Sequence, residues 1–359
     1  MSDPRGVSAT AVAARDRPPV ARGPLLGGVS VSHPARTYSQ PELLELFGLA
    51  GDEFAEAIFA RSGVRTRRLS LSRESLGRSL QARTAATEEQ LFEMAVAALG
   101  GLDFDPGEIG VLVTAGYWSL GGPTLGHRLI DHFALGARTD KYHVTGVGCA
   151  SAVPLLRLAG QVLRDRPGER ALVVAAESVS GFMTPALPGD ERTKVVGSAL
   201  FGDGCGAALL GGDAGGPEIV ASAVHQVPDS LDQVCFMVSE SDSHMQIGRE
   251  LPLIAETQLP GLVEGFLEAN ELDGADIDHW LLHPGGRGIL EGAQRGLGLS
   301  DQQVAPSAAV LSEYGNVGTA SSFFVLSAAE QMRDPRPGER GLLISIGPGV
   351  TVGLMLLTW

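Results

Sequence analysis

Three residues distant in the sequence, Cys149, His283 and Asn316, carry side chains suited to nucleophilic acyl transfer. Cys149 lies in Gly146-Val147-Gly148-Cys149-Ala150-Ser151, with glycines before it and a helix-compatible run after it. At a helix N-terminus the dipole favours thiolate, and flanking glycines let a substrate carbonyl approach the sulfur. Taken alone, such a cysteine is more often a small packing residue than a nucleophile. Its candidate partners change that balance. His283 ends the apolar run Trp280-Leu281-Leu282 and opens the turn Pro284-Gly285-Gly286, where functional side chains are commonly displayed. Asn316 follows Tyr314-Gly315; it suits a helix N-cap, and equally a neutral donor that steadies a thioester oxygen as negative charge develops. The other two cysteines, Cys205 and Cys235, form no CxxC pair, so a zinc site or disulfide framework is not expected, and both should be quiet, buried side chains.

The elements that must bring these residues together show an internal echo. Pro167-Gly168-Glu169-Arg170-Ala171-Leu172-Val173-Val174 is matched by Pro337-Gly338-Glu339-Arg340-Gly341-Leu342-Leu343-Ile344. Each is a turn leading into the apolar run of a buried strand, and each follows a helical stretch, 151–165 and 320–334. Upstream, 109–114 and 277–283 are both short apolar strands entered from an acidic turn. Strands alternating with helices, repeated at this long spacing, predict an α/β chain of two halves related by a pseudo-twofold axis. In that arrangement Cys149 and Asn316 occupy near-equivalent places, and His283 joins them where the halves meet.

Composition narrows the partners. The formal charge of −15 disfavours nucleic acid and anionic membrane surfaces, and no run is long and apolar enough to span a bilayer. A cytoplasmic location is expected. Residues 1–24, rich in Pro and Arg without apolar periodicity, read as a mobile arm. One segment runs against the acidic background: residues 61–68 hold four arginines, Arg61, Arg65, Arg67 and Arg68, suiting either a phosphate-bearing ligand or a solvated loop.

Gly148-Cys149, His283-Pro284-Gly285-Gly286, Tyr314-Gly315-Asn316 and Gly347-Pro348-Gly349, in this order and with the block Phe201-Gly202-Asp203-Gly204, resemble the signatures of chalcone-synthase-like type III polyketide synthases. The likeness runs from about Leu25 to Trp359. Ketoacyl synthase III enzymes share the Arg-rich block and Phe201 to Gly204, but the Pro-Gly-Gly after His283 and the Gly-Pro-Gly loop favour the polyketide synthases. The resemblance implies a thiolase fold, a duplicated five-layered αβαβα arrangement with halves at 25–212 (Cys149) and 213–359 (His283 and Asn316), assembled as a homodimer. It also implies an acyltransferase without a cofactor, whose substrates are malonyl-CoA and a starter acyl-CoA. Cys149 would carry the acyl chain, His283 and Asn316 would promote decarboxylation, and Arg61, Arg67 and Arg68 would hold CoA phosphates. The acyl cavity would involve Phe201, Met245 in place of a second gatekeeping aromatic, Gly318, Gly347, Pro348 and Gly349. Ser119-Leu120-Gly121-Gly122 replaces the loop that reaches across the dimer, and Tyr38-Ser39-Gln40 with the tail from Gly347 resembles the dihydroxyphenylacetyl-CoA synthase branch. Two other functions fit parts of the pattern: transfer of the Cys149-bound acyl group to a non-malonyl acceptor, and a non-catalytic dimeric scaffold.

Overall fold

The computed structural model describes residues 23–117, 122–211, 215–240 and 242–359. The first half supplies β1 (Leu25–Ser32), the short pair β2 (Thr37–Ser39) and β3 (Thr66–Arg68), then β4 (Ile109–Ala115), β5 (Asp140–Val144), β6 (Arg170–Glu177) and β7 (Gly204–Gly211). The second supplies β8 (Glu218–Gln226), the hairpin β9 (Val234–Val238) and β10 (Ser243–Ile247), then β11 (His279–Leu282), β12 (Arg340–Gly347) and β13 (Thr351–Thr358). Nine strands run in the order β11-β12-β13-β8-β1-β7-β6-β4-β5. The order repeats about its middle: β4 beside β6 and β11 beside β12 are parallel, and the next pairings inward are antiparallel in both halves. In the sheet, β1 meets β8 across the halves at Leu25 opposite Glu218. β5 has no counterpart and forms one edge.

The echoed strands lie where both faces are covered. All seven residues of β4, and all of β6 after Arg170, are buried, which is why they read as unbroken apolar runs. Helices Ala152–Leu163 and Ser321–Arg333 fill the space between the half-sheets, and each packs on strands of both. Helix Leu80–Leu99 covers the outside of the first half, while Leu259–Glu268 and Arg287–Leu297 belong to the outer layer of the second. The result is the five-layered αβαβα arrangement.

The duplication extends to the turns that begin the two central helices. Gly148–Ala150 and Gly318–Ala320 are matching 3-10 turns, entered with φ 57° at Gly148 and φ 55° at Gly318. The structural counterpart of Cys149 is therefore Thr319, with Asn316 three residues upstream, near the equivalent place as the sequence echo implied. The expected arm falls largely outside the described residues, but its last two positions are fixed: Gly23 donates to Glu218 Oε1 at 2.7 Å and the Pro24 carbonyl accepts from the Ile219 amide at 3.1 Å.

Candidate active site

Cys149, His283 and Asn316 line one narrow buried chamber. Asn316 is held on every side. Its amide donates to the Leu200 carbonyl and its carbonyl accepts from Gly202, both at 2.9 Å, while its Oδ1 accepts from the Gly318 amide and the Ser321 hydroxyl, both at 3.0 Å. With Oδ1 engaged, the NH2 group is the donor left for a ligand. Cys149 Sγ lies 3.5 Å from Oδ1. His283 follows β11, its backbone amide bonded to the Ile344 carbonyl at 2.8 Å, and its Nδ1 is buried without a partner. Gly285 leaves the ring room, since a Cβ there would stand a tight 3.0 Å from the imidazole Cδ2.

Burial governs the charge state. Loss of hydration pushes the Cys149 thiol up to about 12, with the Asn316 contact only partly opposing, and pulls His283 down to about 3. Burial therefore opposes the thiolate that the helix terminus favours. Burial disfavours each lone charge in this chamber. A proton passing from sulfur to imidazole would create both charges together, so that each offsets the other.

Two further spaces adjoin. On one side, Ile247 and Ile289 are shared with an open cleft of about 330 Å³ that also carries Arg61, Arg192, Arg249 and Arg287. On the other, Cys149 and Phe201 are shared with a second narrow chamber, walled by Tyr117, Glu177, Phe182, Met245, Gly318 and Pro348. Burial raises the Glu177 carboxyl to about 8, although the Thr319 and Tyr117 amides draw it partly back; neither carboxylate oxygen has a well-formed hydrogen bond. A basic cleft, a Cys-His-Asn chamber and a mostly apolar chamber thus lie in sequence, suited to a phosphate-bearing thioester entering from one side and an acyl chain extending to the other.

Comparison with known proteins agrees with this arrangement. Residues 35–217 match the FAE1/type III polyketide synthase-like protein family, and residues 218–358 match the C-terminal domain of chalcone and stilbene synthases. The chain belongs to the type III polyketide synthases. Among curated relatives of this synthase, 1,3,6,8-tetrahydroxynaphthalene synthase of Streptomyces peucetius subsp. caesius is 30% identical over 94% of this chain and 94% of its own length. The 3,5-dihydroxyphenylacetyl-CoA synthase of Streptomyces toyocaensis is 28% identical over 94% of this chain and 90% of its own. The crystal structure of PKS-I from the brown alga Ectocarpus siliculosus superimposes with a TM-score of 0.86 at 26% identity, covering 95% of this chain and all of the alga's. The fold is the thiolase fold of this family.

The synthase does not place every residue singled out from sequence where the family likeness implied. Arg61 lines the cleft. Arg67 does not: β3 alternates, so Arg67 points inward between Thr66 and Arg68 and is fully buried. Its guanidinium donates to the Phe201 carbonyl at 2.8 Å and to Gln40 Oε1 at 3.1 Å, and burial lowers its pKa to about 9, so it secures Phe201 from below. Arg68 lies over the Tyr314 ring, 5.7 Å from its centroid, and donates to Thr37 Oγ1, away from the cleft. Phe201, Met245, Gly318 and Pro348 line the second chamber and Gly347 the first. Gly349 lines neither; its carbonyl accepts from Ser230 Oγ at 3.1 Å in the turn before β13. Cys205 is buried as expected, but Cys235 is only half-buried on β9. Residues 119–121 of the expected dimer-crossing loop lie outside the described residues. Sequence reasoning missed Glu177, Tyr117 and the scattered arginines 192, 249 and 287. Glu177 did leave a signal, an acid ending the apolar run of β6, the same placement that drew attention to His283.

Proposed function

We propose that this protein performs decarboxylative Claisen condensation of malonyl-CoA onto a starter acyl group held by Cys149, followed by cyclisation to an aromatic or pyrone product. The observation that carries this reading is the single buried chamber in which Cys149, His283 and Asn316 meet, adjoining an arginine-bearing cleft on one side and a mostly apolar chamber on the other. Cys149 sulfur attacks the starter thioester as its proton passes to His283, the carbon–sulfur bond to CoA breaks, and CoA leaves as the thiol with that proton. Malonyl-CoA then enters. Its carbon–carboxylate bond breaks, carbon dioxide departs, and the electron pair becomes an enolate whose oxygen is held by the His283 ring and the Asn316 NH2. The enolate carbon attacks the acyl carbonyl, and the bond to Cys149 breaks, returning the electrons to sulfur. In this reading Arg61, Arg192, Arg249 and Arg287 bind the CoA phosphates, the free edge of β5 joins a second copy in a homodimer, and the enzyme works in the cytoplasm.

Labelled malonyl-CoA supplied with a panel of starter thioesters tests the reading. Carbon dioxide and a polyketide should both appear. Acylation of Cys149 without decarboxylation would support transfer to a non-malonyl acceptor instead.

A further inference from the structure

This inference rests on the synthase reading. A growing chain must occupy space beyond the sulfur, and the second chamber lies there. One wall of that chamber is Tyr117, which follows β4 and reaches the turn that carries the nucleophile: a Cβ on Gly148 would stand 3.0 Å from Tyr117 Cε2 and 3.2 Å from its hydroxyl. Behind the phenol stands the Phe236 ring of β9, with centroids 5.3 Å apart and planes tilted by 52°. Phe236 in turn meets Phe182 edge to face at 5.1 Å. Tyr117 therefore cannot swing away from Cys149 without unpacking two further aromatics, each interaction worth something beyond its buried area. Two of the remaining walls yield more readily. Gly318 has no side chain, and Met245 is unbranched and adaptable.

We propose that Tyr117, braced by Phe236, sets the depth of the second chamber and with it the number of malonyl units added before the product leaves. The bulk of the ring does this, not the hydroxyl. Steric discrimination in an apolar pocket amounts to roughly tenfold or more for a single methylene, so loss of a whole ring should exceed that.

The test compares full-length wild type with Tyr117→Ala, Tyr117→Phe and Phe236→Ala. Each is given one starter acyl-CoA and labelled malonyl-CoA, and products are sized by mass spectrometry. In Tyr117→Ala the ratio of longer products to the wild-type product should rise about tenfold or more. Tyr117→Phe should keep the wild-type lengths, and Phe236→Ala should shift the ratio in the same direction as Tyr117→Ala but less. Unchanged lengths in Tyr117→Ala, with normal acylation of Cys149, would overturn the proposal; so would a shift in Tyr117→Phe equal to that in Tyr117→Ala. If Tyr117→Ala fails to fold, as judged by its thermal melt, Tyr117→Val carries the same readout. Wild type that makes no polyketide from any starter defeats the synthase reading itself, whereas a productive wild type with insensitive variants defeats only the role of Tyr117.

Discussion

Glu177 allows a sharp test of how burial sets charge in this molecule. Its carboxyl is held at about 8 in the folded chain against 4.5 when solvated, chiefly because burial disfavours the anion. The folded state therefore binds this proton more tightly than the unfolded chain does. The associated stability is fully present below about pH 4.5 and is lost as pH rises through 8. Each pH step between those values costs about 1.36 kcal/mol, so by pH 9 the ionised side chain has removed roughly 4 to 5 kcal/mol. Glu177→Gln keeps the shape and the acceptor facing the Thr319 and Tyr117 amides but has no such proton. Urea unfolding of both proteins from pH 5 to 9 should show similar stability at the acid end and a Gln variant several kcal/mol more stable at the alkaline end. Parallel profiles across that range would refute the reasoning, and a wild type gaining on the variant with pH would reverse its sign.

Other expectations bear on the chemistry. Cys149→Ala should abolish the mass increment seen on intact protein after incubation with a starter acyl-CoA, leaving Cys205 and Cys235 unacylated. Asn316→Ala should slow carbon dioxide release by roughly 10²- to 10³-fold, the usual effect of losing one oxyanion donor, while single-turnover acylation of Cys149 changes far less. Arg192→Ala should raise KM for CoA thioesters about tenfold at nearly constant kcat, since a phosphate contact remote from the reacting carbon acts uniformly on bound states. Arg67→Met should instead leave that KM unchanged and lower unfolding stability by about 1–3 kcal/mol, because the Phe201 carbonyl loses its buried donor.

Much of the fold was legible because its central strands are buried on both faces and its halves repeat. The Pro-Gly-Glu-Arg turns marked β6 and β12, and an apolar strand ending in a Pro-Gly-Gly turn marked His283. Arg67 shows where the reading ran out. In sequence it is one arginine of four; only the alternation of a three-residue strand turns it inward, and so short a strand leaves no periodic trace. The cleft arginines were hidden for the opposite reason. Arg192, Arg249 and Arg287 come from three separate segments, and nothing local distinguishes them from solvated surface charges. The burial of Cys149 was hidden too, because a motif shows the helix that follows but not the desolvation that opposes the thiolate.

The two matching turns have a consequence for where charge can be tolerated. Helices Ala152–Leu163 and Ser321–Arg333 begin beside the same pair of chambers, one after Cys149 and the other after Thr319. Their positive ends are properties of the backbone, so they persist whichever side chains occupy the turns. A transient anion formed on the sulfur or on an enolate oxygen beside it meets a potential generated by both halves. The scaffold is thus electrically near-symmetric while its reagents are not: one copy of the turn offers a thiol, the other a hydroxyl. Duplication built the field twice, and the substitution of a few side chains decided which side of it would do the bonding.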